Sequence, residues 1–133
     1  MPFEFRVRVY WEDTDAGGIV FYANYLKFFE RARTEWLRAL GLGQQALRES
    51  SGGFFVVSET NVRYLQPARL DDELLVTAGI ESAGRAAITL VQEARRCGDR
   101  TLLCAGTIRI GWVDAATLKP ARMPAKLLQA LTS

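Results

Sequence analysis

Residues 24–40 constrain the fold of this chain more than any other stretch. Tyr25, Phe28, Phe29, Ala32, Trp36 and Leu40 recur at helical spacing on one broad apolar face, with Lys27, Glu30, Arg31, Thr34 and Arg38 opposite. A helix with so much aromatic bulk does not lie on a surface, so something must wrap it. Gly41 is placed to cap its end. Around it the sequence reads as strands. Phe3 to Val9 alternates apolar and charged residues strictly, and strand-like runs cover Phe54 to Leu65, Glu73 to Glu81, Ala86 to Arg96 and Thr101 to Val113. Gln66-Pro67-Ala68, Ser82-Ala83-Gly84 and Gly98-Asp99 read as the breaks between them. A short helical turn over Gln44 to Glu49 and a tail helix after Pro124 complete the reading. Strand, long helix, then four strands on short connections imply an antiparallel sheet curved around one helix, an α+β class.

With 133 residues the chain reads as one domain, 1–133, large enough for a core. A formal net charge of +2 and no Lys/Arg block argue against a nucleic-acid partner. The chain contains no histidine, which excludes Ser–His and Cys–His machinery and histidine-ligated metal within it. Cys97 and Cys104 follow no metal-ligand spacing. With Gly98-Asp99 as a hairpin turn, Cys97 faces Arg100 and Cys104 faces Glu93. The two thiols would then stand ~13 Å apart, too far for a disulfide. Reduced thiols, no secretory signal in Met1 to Arg6 and no apolar run near the ~20 residues of a membrane span give the expectation of a cytoplasmic protein. Neither a metal nor an organic cofactor is expected.

The chemistry concentrates in Tyr10 to Tyr25. An acidic pair, Asp13 and Asp15, ends a strand; Gly17-Gly18 turns; an aromatic stretch opens the helix. That order sets a carboxylate beside a helix N-terminus, where backbone N–H groups and the macrodipole favour developing negative charge. Asp15 is the candidate catalytic carboxylate for acyl transfer or hydrolysis, and a plain turn residue is the alternative. Gly17 and Gly18 let a ligand approach the main chain, and amides near Phe21 and Tyr22 would polarise a bound carbonyl. Asp13 reads as structural, capping the turn or pairing with a basic neighbour, and Glu12 as a solvated charge. Trp11, Tyr25, Phe28 and Phe29 read as core, with one or two of them open to an acyl group.

The Asp13-Thr14-Asp15-Ala16-Gly17-Gly18-Ile19-Val20 turn, Asn24-Tyr25 and Glu30-Arg31-Ala32-Arg33-Thr34-Glu35 resemble the hotdog-fold acyl-CoA thioesterases. The resemblance points to the 4-hydroxybenzoyl-CoA thioesterase and Tol–Pal-associated branches. Arg63-Tyr64-Leu65-Gln66-Pro67-Ala68-Arg69-Leu70-Asp71-Asp72 is similar to a second signature of the latter. The motif is mixed: Tyr22 follows the first branch, whereas Asp-Thr-Asp-Ala-Gly-Gly follows the second. The resemblance implies a five- or six-stranded antiparallel sheet around the helix. It also implies a homodimer or homotetramer with active sites at the subunit interface. It makes Asp15 the nucleophile or general base, Gly18 part of the catalytic turn, and the Tyr22 backbone amide the oxyanion donor. Arg85 would contact the CoA phosphates, and Ser58, Thr60 and Tyr25 would line the substrate site. The expected activity is hydrolysis of acyl-CoA. The alternative is a non-catalytic module binding acyl-CoA or acyl carrier protein, with an acyl carrier protein or an envelope system as partner.

Overall fold

The computed structural model describes residues 2–133. Strand β1 (Phe3–Arg8) leads through a short 3-10 turn (Trp11–Asp13) and a loop into helix α1 (Asn24–Ala39). Helix α2 (Gln44–Ser51) follows, then strands β2 (Gly53–Tyr64), β3 (Glu73–Ala83), β4 (Ala87–Arg96) and β5 (Leu102–Asp114), and helix α3 (Ala125–Thr132). The strands form one antiparallel five-stranded sheet in the order β1-β3-β4-β5-β2. Register shifts between Val57 and Glu59, Ile80 and Ser82, and Ala94 and Arg95 add the local twist that lets a sheet curve.

The curved sheet holds α1. Phe28, Phe29 and Ala32 are fully buried against Leu74, Val76, Leu90, Leu103 and Ile108. Each buried large side chain contributes roughly 2 kcal/mol by transfer from water. The apolar face differs from expectation at one position: Leu37 is buried and Leu40 is 42% exposed. The reason is the helix end. Leu42 N–H donates to Leu37 C=O and Gly41 N–H to Arg38 C=O, with Gly41 at φ +77°, so the chain turns away just where Leu40 would have faced inward.

One polar group reaches through this core. Gln92, fully buried on β4, donates through Nε2 to the carbonyls of Phe29 in α1 and Thr77 in β3, both at 3.0 Å. Its Oε1 accepts from Arg33 Nη1 at 2.9 Å. Burial pulls the Arg33 guanidinium below its ordinary pKa. The β3–β4 pairing is interrupted here, between Val76–Ala94 and Gly79–Val91, and Thr77 Oγ1 accepts the Glu93 N–H in its place.

Three local expectations change. The β3–β4 turn is Gly84–Ala86, because the pairing of Gly79 with Val91 and Ile80 with Leu90 centres it there and β3 runs on to Ala83. Arg85 sits in this turn. The β4–β5 connection is a longer loop over Cys97–Arg100, closed by Arg96 N–H to Thr101 C=O, with Arg100 at φ +63°. A register shift between Ala94 and Arg95 then sets Cys104 opposite Ala94 and Glu93 opposite Ala105. Trp11, expected in the core, is 82% exposed at the start of the 3-10 turn. Among the described residues no helix is long and apolar enough to cross a membrane.

Candidate active site

The site grows from the exit of β1. Val9 is buried, and the chain then turns over Trp11–Asp13 with Asp13 N–H donating to Tyr10 C=O at 3.0 Å. Asp13 is 4% exposed, and both its oxygens are occupied. Oδ2 accepts Tyr10 N–H and Oδ1 accepts the Asn24 side-chain amide, each at 2.8 Å. Its role is to cap the turn and anchor the helix start.

Beyond it lies a small hairpin. Thr14 pairs with Val20, Asp15 N–H donates to Ile19 C=O, and Gly18 N–H donates back to Asp15 C=O. Gly18 takes φ +77°, a conformation that side chains resist, which fixes glycine here for the turn itself. The Asp15 side chain is exposed at the tip. Its Oδ1 accepts Gly17 N–H at 2.8 Å, while Oδ2 has no protein donor among the described residues. One oxygen thus orients the carboxylate and the other is available for chemistry.

The hairpin is braced from outside by the Ala68–Leu70 segment. Ile19 bridges to Arg69, Val20 N–H donates to Ala68 C=O, and Leu70 N–H donates to Gly18 C=O. Two stretches about fifty residues apart are thereby locked together.

The hairpin delivers the chain to α1. Phe21 N–H donates to Asp13 C=O and is not available to a ligand. The Tyr22 and Ala23 N–H groups donate to no protein acceptor among the described residues. Orphan amides at a helix start carry the positive end of the macrodipole. The expectation of two donors near Phe21 and Tyr22 therefore narrows to Tyr22. The Tyr25 ring is buried, its hydroxyl accepting Ala68 N–H at 3.2 Å, and burial holds its phenol above the ordinary pKa.

The other expected site residues lie elsewhere. Ser58 and Thr60 are exposed on edge strand β2, with Ser58 Oγ donating to Arg109 C=O and accepting from Arg109 Nη1. Arg85 lies beside Arg122, held by the bond from Met123 N–H to Arg85 C=O. It stands at the far end of the sheet from Asp15, separated by the length of β4, roughly 30 Å. No group of three or more Cys, Asp or Glu side chains placed to hold a metal ion occurs among the described residues. Residue-by-residue reading missed Tyr64, whose ring meets those of Tyr22 and Tyr25. Its place in the second motif was the available signal.

A family profile described as the thioesterase-like superfamily matches residues 9–131. The chain belongs to the thioesterase-like superfamily. Among its relatives, the acyl-CoA thioesterase YbgC of Haemophilus influenzae is 43% identical over 92% of this chain and 88% of its own length. The acyl-CoA thioester hydrolase YbgC of Escherichia coli O6:H1 is 40% identical over 95% of this chain and 92% of its own. A probable thioesterase from Bartonella henselae superposes with a TM-score of 0.85 at 32% identity, covering 93% of this chain and all of the other. The fold is accordingly the hotdog fold of this superfamily, and the two motifs that carry the resemblance meet at the Ile19–Arg69 bridge.

Proposed function

We propose that this protein is an acyl-CoA thioesterase that hydrolyses an acyl-CoA to a carboxylic acid and free CoA. The supporting observation is the pairing of an exposed, oriented carboxylate at Asp15 with a free helix-start amide at Tyr22, on two ends of one braced hairpin. The thioester carbonyl accepts the Tyr22 N–H, which stabilises the oxyanion as the carbonyl carbon becomes tetrahedral. Asp15 either attacks the carbonyl carbon itself, displacing CoA to give an acyl-aspartyl anhydride that water then hydrolyses to the acid, or takes a proton from a water whose oxygen forms the new C–O bond; in either route the C–S bond breaks. CoA leaves as the thiolate and takes a proton from solvent. The Gly18 conformation keeps the hairpin tip tight enough for a ligand to lie across it.

The same reading makes the working unit a homodimer. Strand β2 is an edge strand of twelve residues, largely exposed, with Val56 and Val57 bare on it. Long open edges are normally covered by pairing. Antiparallel pairing of two β2 strands around Ser58 and Thr60 reverses one sheet against the other. Arg85 of the partner subunit then approaches this chain's Asp15, where a guanidinium can hold the CoA phosphates. The decisive experiment is free-thiol release from a panel of acyl-CoAs, short aliphatic through long-chain to aromatic. Release of CoA supports the enzyme, and binding without release favours a carrier module.

A further inference from the structure

The mouth of α1 is ringed by aromatic side chains for which hydrolysis alone has no use. Tyr64 closes β2, and its ring meets Tyr22 edge-on, with centroids 6.0 Å apart and planes at 89°. The same ring stands 5.8 Å from Tyr25, and Phe21 stands 4.8 Å from Tyr22. Tyr25 is the buried floor of this group, whereas Phe21, Tyr22 and Tyr64 keep 47%, 63% and 47% of their surface exposed. The Tyr22 and Tyr64 hydroxyls have no protein hydrogen-bond partner among the described residues. Large apolar surface left bare and contiguous marks a place where something binds. Here it adjoins the Tyr22 amide.

We propose that Tyr64 is a specificity-determining residue which, with the Tyr22 ring, forms an aromatic wall for the acyl group and favours a flat aryl acyl group over a saturated chain. The inference rests on the thioesterase reading, because the wall matters only to an acyl group whose carbonyl sits on the Tyr22 amide. Aromatic rings pair edge-to-face or offset at centroid distances of about 4.5–7 Å, the spacing these rings already keep among themselves. A flat acyl ring gains that interaction in addition to buried area, whereas a saturated chain gains the area alone. The two open phenol hydroxyls also suit a polar substituent on such a ring.

The test compares kcat/KM for benzoyl-CoA and hexanoyl-CoA in the wild type, Tyr64→Leu and Tyr64→Phe. The benzoyl-to-hexanoyl ratio falls about fivefold in Tyr64→Leu and stays within about twofold of wild type in Tyr64→Phe, because the ring carries the preference. If Tyr64→Leu does not fold, Tyr22→Leu keeps the backbone amide and reads the same ratio on the other half of the wall. An unchanged ratio in the leucine variant, even with both rates lowered in parallel, overturns the aromatic wall and leaves the thioesterase reading standing. Release of CoA from no acyl-CoA by the wild type overturns both.

Discussion

Asp13 accepts the side-chain amide of Asn24 at 2.8 Å across eleven residues of sequence, and both groups are buried. The same carboxylate holds Tyr10 N–H, and its backbone carbonyl holds Phe21 N–H. This carboxylate, both of its oxygens occupied, thus ties the turn to the start of the helix, next to the Tyr22 amide. In Asp13→Ala the buried Asn24 amide loses its acceptor, a loss of about 1–3 kcal/mol. Chemical denaturation should show that loss, and thiol release should fall with it even where the variant remains folded.

Asp15→Asn tests the other acid. The substitution keeps an oxygen for Gly17 N–H and sits at an exposed position, so stability should stay within about 0.5 kcal/mol of wild type. Turnover should fall about 100-fold or more, the usual worth of a positioned acid or base. Near-wild-type hydrolysis would remove Asp15 from the reaction.

Gln92 joins α1, β3 and β4 through three hydrogen bonds and is the partner of a half-buried guanidinium. Gln92→Leu fills the space but strands the Arg33 donor, and the expected loss is on the order of 2 kcal/mol. Gln92→Glu keeps an acceptor for Arg33 while removing the donor to Phe29 and Thr77, so it separates the two halves of the network. The urea midpoint of Gln92→Glu reads the donor half, and its difference from that of Gln92→Leu reads the Arg33 half.

Burial pushes the Cys104 thiol up to about 12, far above an ordinary cysteine. A thiol raised in the folded state contributes stability that is fully present below its unfolded pKa. That contribution is lost as the pH climbs toward the folded value, so the alkaline side of the stability curve should decline above about pH 8.5. Cys97, half-buried and also raised by burial, is the more reachable of the two. A disulfide reagent at neutral pH should label Cys104 only as fast as the protein unfolds, and the Cys104→Ala variant should show no such slow phase.

The long helix and most strand limits were legible because aromatic spacing at the helical period and strict alternation in β1 both report burial directly. Features that rest on pairing were not. The pairing of Gly79 with Val91 and Ile80 with Leu90 centres the next turn on Gly84–Ala86, and a register shift between Ala94 and Arg95 put Cys104 opposite Ala94. Nothing in composition marks a bulge. Asp13 could be read as a cap, yet its partner Asn24 lies too distant in sequence for local rules to pair them. The apolar type of Trp11 suggested burial, whereas the turn that carries it leaves it in water. At the site, Asp15 and Tyr22 were visible as a motif. Tyr64 stood in the second motif, but a tyrosine at a strand end announces no contact with the first.

The placement of Asp15 and Arg85 at opposite ends of one sheet has an outcome at the level of mixtures. In the proposed two-fold pair built on β2, each centre would draw its acid from one subunit and its guanidinium from the other. A hybrid of one Asp15→Asn chain and one Arg85→Ala chain therefore gathers both defects into a single centre and leaves its twin whole. The two impaired preparations, unfolded and reassembled together, should show more activity than either shows by itself.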